Sequence, residues 1–256
     1  MAEPVRSLDE IVSVRSVAVK LLERCGDLGL RWVDELELLD GEQWTAEELA
    51  ANFVDIERVN RFLGGSALTI DALGDCARDM ASFTLLDVGT GSADIPRAVM
   101  SWAGTCGVEA TVTAVDSRRE VLALARDAAA AGIELRQVSA PPLPFQDGSF
   151  DFAACSLLLH HLRPADVVPL LREMARVARR AVIVNDLVRQ PLSYVVSLLL
   201  GPLTTRNRLS LHDGPLSIRR AYTVKEMISM CREAGLEPAS IRQRLLYRVA
   251  VVARPA

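Results

Sequence analysis

Residues 85–96, Leu-Leu-Asp-Val-Gly-Thr-Gly-Ser-Ala-Asp-Ile-Pro, put an acid and two glycines at the end of a short apolar run. Gly89 and Gly91 allow positive φ and let a ligand lie against bare main chain, and Asp87 can accept hydrogen bonds from it. Asp116 closes the next apolar run, 25 residues past Gly91. An acid at that place is the usual partner of the ribose hydroxyls of an adenosine-bearing cofactor. A dinucleotide site would need a third glycine where Asp94 stands, and an acid at a helix N-terminus repels a pyrophosphate. A neutral-headed amino-acid nucleoside suits the turn better. His160 and His161 follow the fourth apolar run, and His212 sits beside Asp213. A histidine so placed can serve as a general base. His161 or His212 is the expected base, with Asp186 or Asp213 as its orienter; His160 either shares that role or fills space.

The elements that must position these residues alternate from residue 83 onward. Strands are expected at 84–88, 110–115, 134–138, 151–156 and 181–186, with helices at 95–103, 120–131 and 164–177. That alternation predicts a parallel sheet with right-handed crossovers, binding its ligand outside the carboxyl ends of the strands. Residues 1–82 read as a helical cap, with helices at 11–24, 46–62 and 67–80. Thr45 and Glu48 form a capping box, and Gly64-Gly65 stops the second helix. After Asp186 a short apolar helix is expected at 194–200, then a basic loop at 204–220. A helix capped by Thr223 follows at 224–234, and one or two antiparallel closing strands lie within 241–252. The expected domains are thus a cap, 1–82, and a cofactor-binding domain, 83–256, with a substrate insertion at about 187–223.

At 256 residues the chain can bury a sizeable core, and half its residues are hydrophobic. A net charge of −4 gives no general attraction to nucleic acid. The nine acids and no base between Asp34 and Glu57 read as a solvated helical face. Arg206, Arg208, Arg219 and Arg220 read as a solvated or cap-facing surface. The five cysteines show no metal spacing and no CxxC, so no metal is expected; with no apolar leader, they fit a reducing cytoplasm. The longest apolar run, 192–203, falls short of the ~20 residues a membrane span needs.

DVGTGSA at 87–93, VD at 115–116, PPLPFQDGSFD at 141–151, SLLLHHL at 156–162 and LREMARVARR at 171–180 recur in one order. Together they resemble class I S-adenosylmethionine-dependent methyltransferases, in the small-molecule branch that includes ubiquinone and menaquinone biosynthesis enzymes. DIERVNRFLGG at 55–65, NDL at 185–187 and HDGPLSIRRAYT at 212–223 are similar to a narrower bacterial group that often accompanies polyketide and phenolic-lipid pathways. The resemblance implies an α/β fold: a doubly wound, mostly parallel, seven-stranded Rossmann-like sheet. It implies S-adenosyl-L-methionine as cofactor, with Asp87, Gly89, Thr90 and Gly91 along its methionine part. Asp116 would hold the ribose, Ser117 the adenine edge, Ser139 and Ala140 would read the adenine, and Ser156 would lie under the sulfonium. Two residues depart from the pattern: Ala93 replaces a third glycine, and Ser139 stands where an Asp is common. The implied reaction is methyl transfer to a small aromatic or polyketide-like metabolite, at oxygen first, with carbon or nitrogen as alternatives. A cofactor-binding module that transfers nothing is the other reading. The implied partner is the small-molecule acceptor, with no nucleic acid, and the implied state is monomer or homodimer.

Overall fold

The computed structural model describes residues 29–128, 132–244 and 247–255. The helix expected at 11–24 and Cys25 lie outside these residues. The described strands are β1 (Ser82–Val88), β2 (Glu109–Asp116), β3 (Ile133–Gln137), β4 (Phe150–Ser156), β5 (Ala178–Leu187), β6 (Leu236–Arg244) and β7 (Arg248–Pro255). They form one sheet in the order β3-β2-β1-β4-β5-β7-β6. The first five are parallel, and β7 runs antiparallel to both β5 and β6. The doubly wound expectation holds. Strand order reverses between β1 and β4, which opens a crevice at their carboxyl ends.

Both faces of the sheet are covered, so adjacent strand residues serve different cores, as a period of two requires. Leu85 and Ile183 pack on one side and Leu86, Val182 and Val184 on the other. The helices among the described residues are α1 (Ala46–Phe62), α2 (Gly65–Cys76), α3 (Asp94–Cys106), α4 (Arg119–Ala128), α5 (Pro164–Val177), α6 (Pro191–Thr204), α7 (Arg208–Arg220) and α8 (Val224–Glu233). α2 and α3 share the Leu85 core, while α5 and α8 share the Leu86 core.

Local signals account for most helix ends. Thr45 and Glu48 exchange the two hydrogen bonds of a capping box at α1, and Thr223 and Glu226 do the same at α8. α1 ends where expected, with Gly64 at φ +85°. Two sequence expectations change. The segment 1–82 is not all cap, because Ala72 and Leu73 of α2 are fully buried against the sheet. The basic loop expected at 204–220 is largely α7. Its DGP run (213–215) reads as a turn, yet Asn207 caps the amides of Leu209 and Ser210. Pro215 forgoes one helical hydrogen bond, a cost of roughly 3 kcal/mol, and the burial of Leu209, Leu216 and Ile218 works against it.

Candidate active site

The turn after β1 is held by its own backbone. Gly89 and Thr90 donate N–H bonds to the carbonyl of Val115, at 2.9 Å each. Gly89 and Gly91 stand at φ +70° and +57°, where a side chain would be strained, and Ala93 adopts φ +58° as the residue before α3. A Cβ on Gly89 would come within 2.7 Å of the Leu158 side chain. Asp116 accepts from the amides of Gly91 at 3.1 Å and Arg118 at 3.0 Å, which fixes its carboxylate across the turn. Burial raises its pKa. Asp87 is 2% exposed, and its Oδ1 has no hydrogen-bond partner. Burial, with the nearby charges of Asp94 and Asp116, pushes its pKa up from 3.8 to about 7. Asp94 begins α3 and accepts from Asn60 Nδ2 at 2.7 Å. Its position at a helix N-terminus stands against a pyrophosphate ligand there.

One continuous cavity of about 1150 Å³ starts at this turn. Its wall takes in Asp87, Gly89, Thr90 and Gly91, then Asp116 and Ser117 at β2, then Ser156 at β4. It runs on to His160, His161 and Glu37. The apolar sides come from Phe53 and Val59 of α1 and from Leu192, Val196 and Leu200 of α6, with Leu211 and Ile218 of α7. α6, apolar along most of its length, is therefore a pocket wall rather than core. The floor includes Arg248, fully buried at the start of β7. It donates to Asn185 Oδ1 at 2.9 Å and to Ser156 Oγ at 3.0 Å, leaving Nη1 without a partner.

The polar end of the cavity is a network of distant segments. His160 Nδ1 lies 2.6 Å from Asp186 Oδ1, and His161 Nδ1 lies 2.8 Å from Asp40 Oδ1. The two rings lie face to face but tilted by 36°, with centroids 4.4 Å apart. Glu37, 3% exposed, accepts from Ser217 Oγ at 2.9 Å. Arg220, 1% exposed, donates to the carbonyls of Glu35, His160 and His161. Burial alone would lower the His161 pKa, but Glu37 and Asp40 outweigh it and raise it to about 9. Burial opposes ionisation of Asp186, yet His160 outweighs that and holds its pKa below 3.8.

Of the residues singled out by sequence, the structure thus gathers Asp87, Gly89, Thr90, Gly91, Asp116, Ser117, Ser156, His160 and His161 around one cavity. Ser139 and Ala140 are not brought to its wall; Ser139 is exposed and Ala140 packs toward the Leu86 core. His212 is half exposed and absent from the wall, with its Nδ1 2.7 Å from Asp213. Asp186 serves His160 rather than His161, whose partner is Asp40. Arg220 is not solvated, and the 34–40 part of the acid run is neither helical nor solvated at Glu37. Sequence reading missed Glu37, Asp40 and Arg248, and of its two readings of Arg220 the cap-facing one holds, since Arg220 donates to the Glu35 carbonyl. For Arg248 a signal existed, a lone charge before the unbroken apolar run Val249–Ala253. Local spacing held none for Glu37.

Residues 85–181 match a family of methyltransferase domains. An uncharacterised methyltransferase, YcgJ of Bacillus subtilis, is 32% identical over 101 residues, 39% of this chain. The chain spans only 38% of that relative's length. A SAM-dependent methyltransferase from Aquifex aeolicus superposes with a TM-score of 0.58 at 17% identity, over 84% of this chain and all of the other. Human N-acetylserotonin methyltransferase, solved with SAM, gives 0.60 at 16% identity, over 83% of this chain and 57% of the other. Among the described residues no helix is long and apolar enough to cross a membrane.

Proposed function

We propose, from the premise that residues 85–181 form a class I S-adenosylmethionine-dependent methyltransferase domain, that the chain methylates a small, largely apolar aromatic or polyketide-like acceptor at oxygen. The observation that carries this reading is the single cavity joining the glycine turn to the Glu37, His160 and His161 end between apolar walls. The donor half fits its cofactor. The unpartnered Oδ1 of Asp87 suits an ammonium group, and the side-chain-free turn at Gly89 suits close approach of a ligand. Asp116, already braced by two amides, would take the ribose hydroxyls, and Ser117 and Ser156 would flank the nucleoside and the methionine part. When bound, S-adenosylmethionine supplies both the methyl group and its leaving group.

The protein's own work is then orientation, exclusion of water and management of one proton. α1, α6 and α7 wall the cavity and would keep the acceptor out of water. A phenol, with pKa near ~10, reacts faster once its proton is drawn away. The cluster of His160, His161 and Glu37 is where that proton would be drawn, with Asp186 and Asp40 fixing the two rings. The test is calorimetry with S-adenosylhomocysteine, followed by transfer of labelled methyl to a panel of phenols and enolisable ketones. Binding and transfer to an oxygen are the expected results. Label recovered on carbon or nitrogen would change the atom but not the class. Binding without transfer to any acceptor would leave a non-methylating module, and no binding would overturn the reading.

A further inference from the structure

We propose that Glu37, His160 and His161 form a binding site for one divalent first-row transition-metal ion, with its open positions facing the cavity. Three potential ligand atoms converge there without bonding one another. His160 Nε2 lies 3.9 Å from Glu37 Oε1, and His161 Nε2 lies 3.8 Å from Glu37 Oε2. Both separations exceed hydrogen-bond range. One ligand atom from each residue falls within 4.8 Å of the other two. Ligands about 2.1 Å from a shared ion stand roughly 3.0–3.4 Å apart, so contraction by less than about 2 Å would close the site.

What distinguishes this cluster from an ordinary buried ion pair is the arrangement behind it. Each imidazole has its Nδ1 engaged by its own carboxylate, Asp186 for His160 and Asp40 for His161. A histidine whose Nδ1–H is held by a carboxylate can give up its Nε2 proton to an incoming metal ion, and that pairing fixes the ring and raises its basicity as a ligand. Here the pairing occurs twice, and both free Nε2 atoms turn toward one glutamate. Ser217 and Arg220 hold that glutamate in place. Charge points the same way. Three carboxylates, Glu37, Asp40 and Asp186, meet one buried guanidinium, Arg220. With Arg248, which acts on Asp186 from the other side, the carboxylates still outnumber the guanidiniums, and a bound cation would offset that excess.

Two imidazoles and one carboxylate select zinc, iron, cobalt or manganese over magnesium and calcium, which favour oxygen ligands. Three protein ligands leave open positions, as in catalytic rather than structural sites. Since all three residues line the cavity, an acceptor oxygen could occupy one of those positions, where the ion, in place of a free imidazole base, would promote loss of its proton. That last step rests on the methyl-transfer reading; the binding of the ion does not.

The experiment takes the full chain, stripped with chelator, and titrates it with Co²⁺ while recording visible absorption. One equivalent is expected to give ligand-field bands that Zn²⁺ abolishes. Glu37→Gln and His161→Asn should each weaken Co²⁺ by at least about tenfold, while thermal melts and S-adenosylhomocysteine binding report whether each variant is folded. No saturable band in the unaltered chain, or bands of equal strength in both folded variants, would overturn the site. Co²⁺ binding without S-adenosylhomocysteine binding would sink the cofactor reading and leave the metal site standing.

Discussion

At the scale of the residue, Asp87 shows function set against stability. It is buried beside Asp94 and Asp116, and its pKa is displaced upward from 3.8 to about 7. Because the folded state holds this proton more tightly than the unfolded chain does, the stability it contributes is full below about pH 4. That contribution is lost as pH rises to about 7. Asp87→Asn should therefore flatten this descent and raise the melting temperature of the unliganded protein at pH 8. The same change should weaken S-adenosylhomocysteine, seen by calorimetry at that pH. A variant that binds as before would remove Asp87 from the site. Residues of this kind were legible because they sit on a local pattern: Asp87, Gly89 and Gly91 share five positions, and Asp116 follows at a fixed distance. Glu37 was not legible, because its partners lie 123 and 124 residues away and nothing near it in the chain marks it as buried.

At the scale of the element, helix ends were readable and helix interiors less so. The Thr45–Glu48 and Thr223–Glu226 boxes gave two helices their starts, and Pro164 opened α5 at the residue expected. α7 escaped because propensity at Gly214 and Pro215 argued for a turn while burial of its apolar face prevailed, a contest that local sequence does not reveal. Gly104 in α3 offers a clean measure of such propensity. It is exposed, its φ is ordinary, and a Cβ there would meet nothing within 4 Å. Gly104→Ala should stabilise the protein by about 0.5–1 kcal/mol in urea unfolding, with no change in cofactor affinity.

At the scale of the whole molecule, the cavity draws on the chain from residue 37 to residue 248. The sheet core and the donor half follow from alternation and the glycine turn, which sequence carries. The other half, proposed for the acceptor, is assembled from residues 34–40, α1, α6 and α7, whose mutual packing is a tertiary outcome. β7 lies between β5 and β6, pairing with both. A chain stopped at Tyr247 should therefore lose cooperative thermal unfolding by circular dichroism, since β5 loses one of its two neighbours and β6 its only described partner. A sharp native-like melt would contradict that placement.

The position of β7 also sets when the protein becomes competent as it is made. Every strand that carries the glycine turn and Asp116 emerges from the ribosome before Arg248 does, yet Arg248 braces Ser156 and Asn185 at the cavity floor. A nascent chain can thus shape the glycine-turn half of the cavity early and still present β5 as an open edge to chaperones. Only when residues 248–255 slot into the sheet are that edge and the cavity floor closed together.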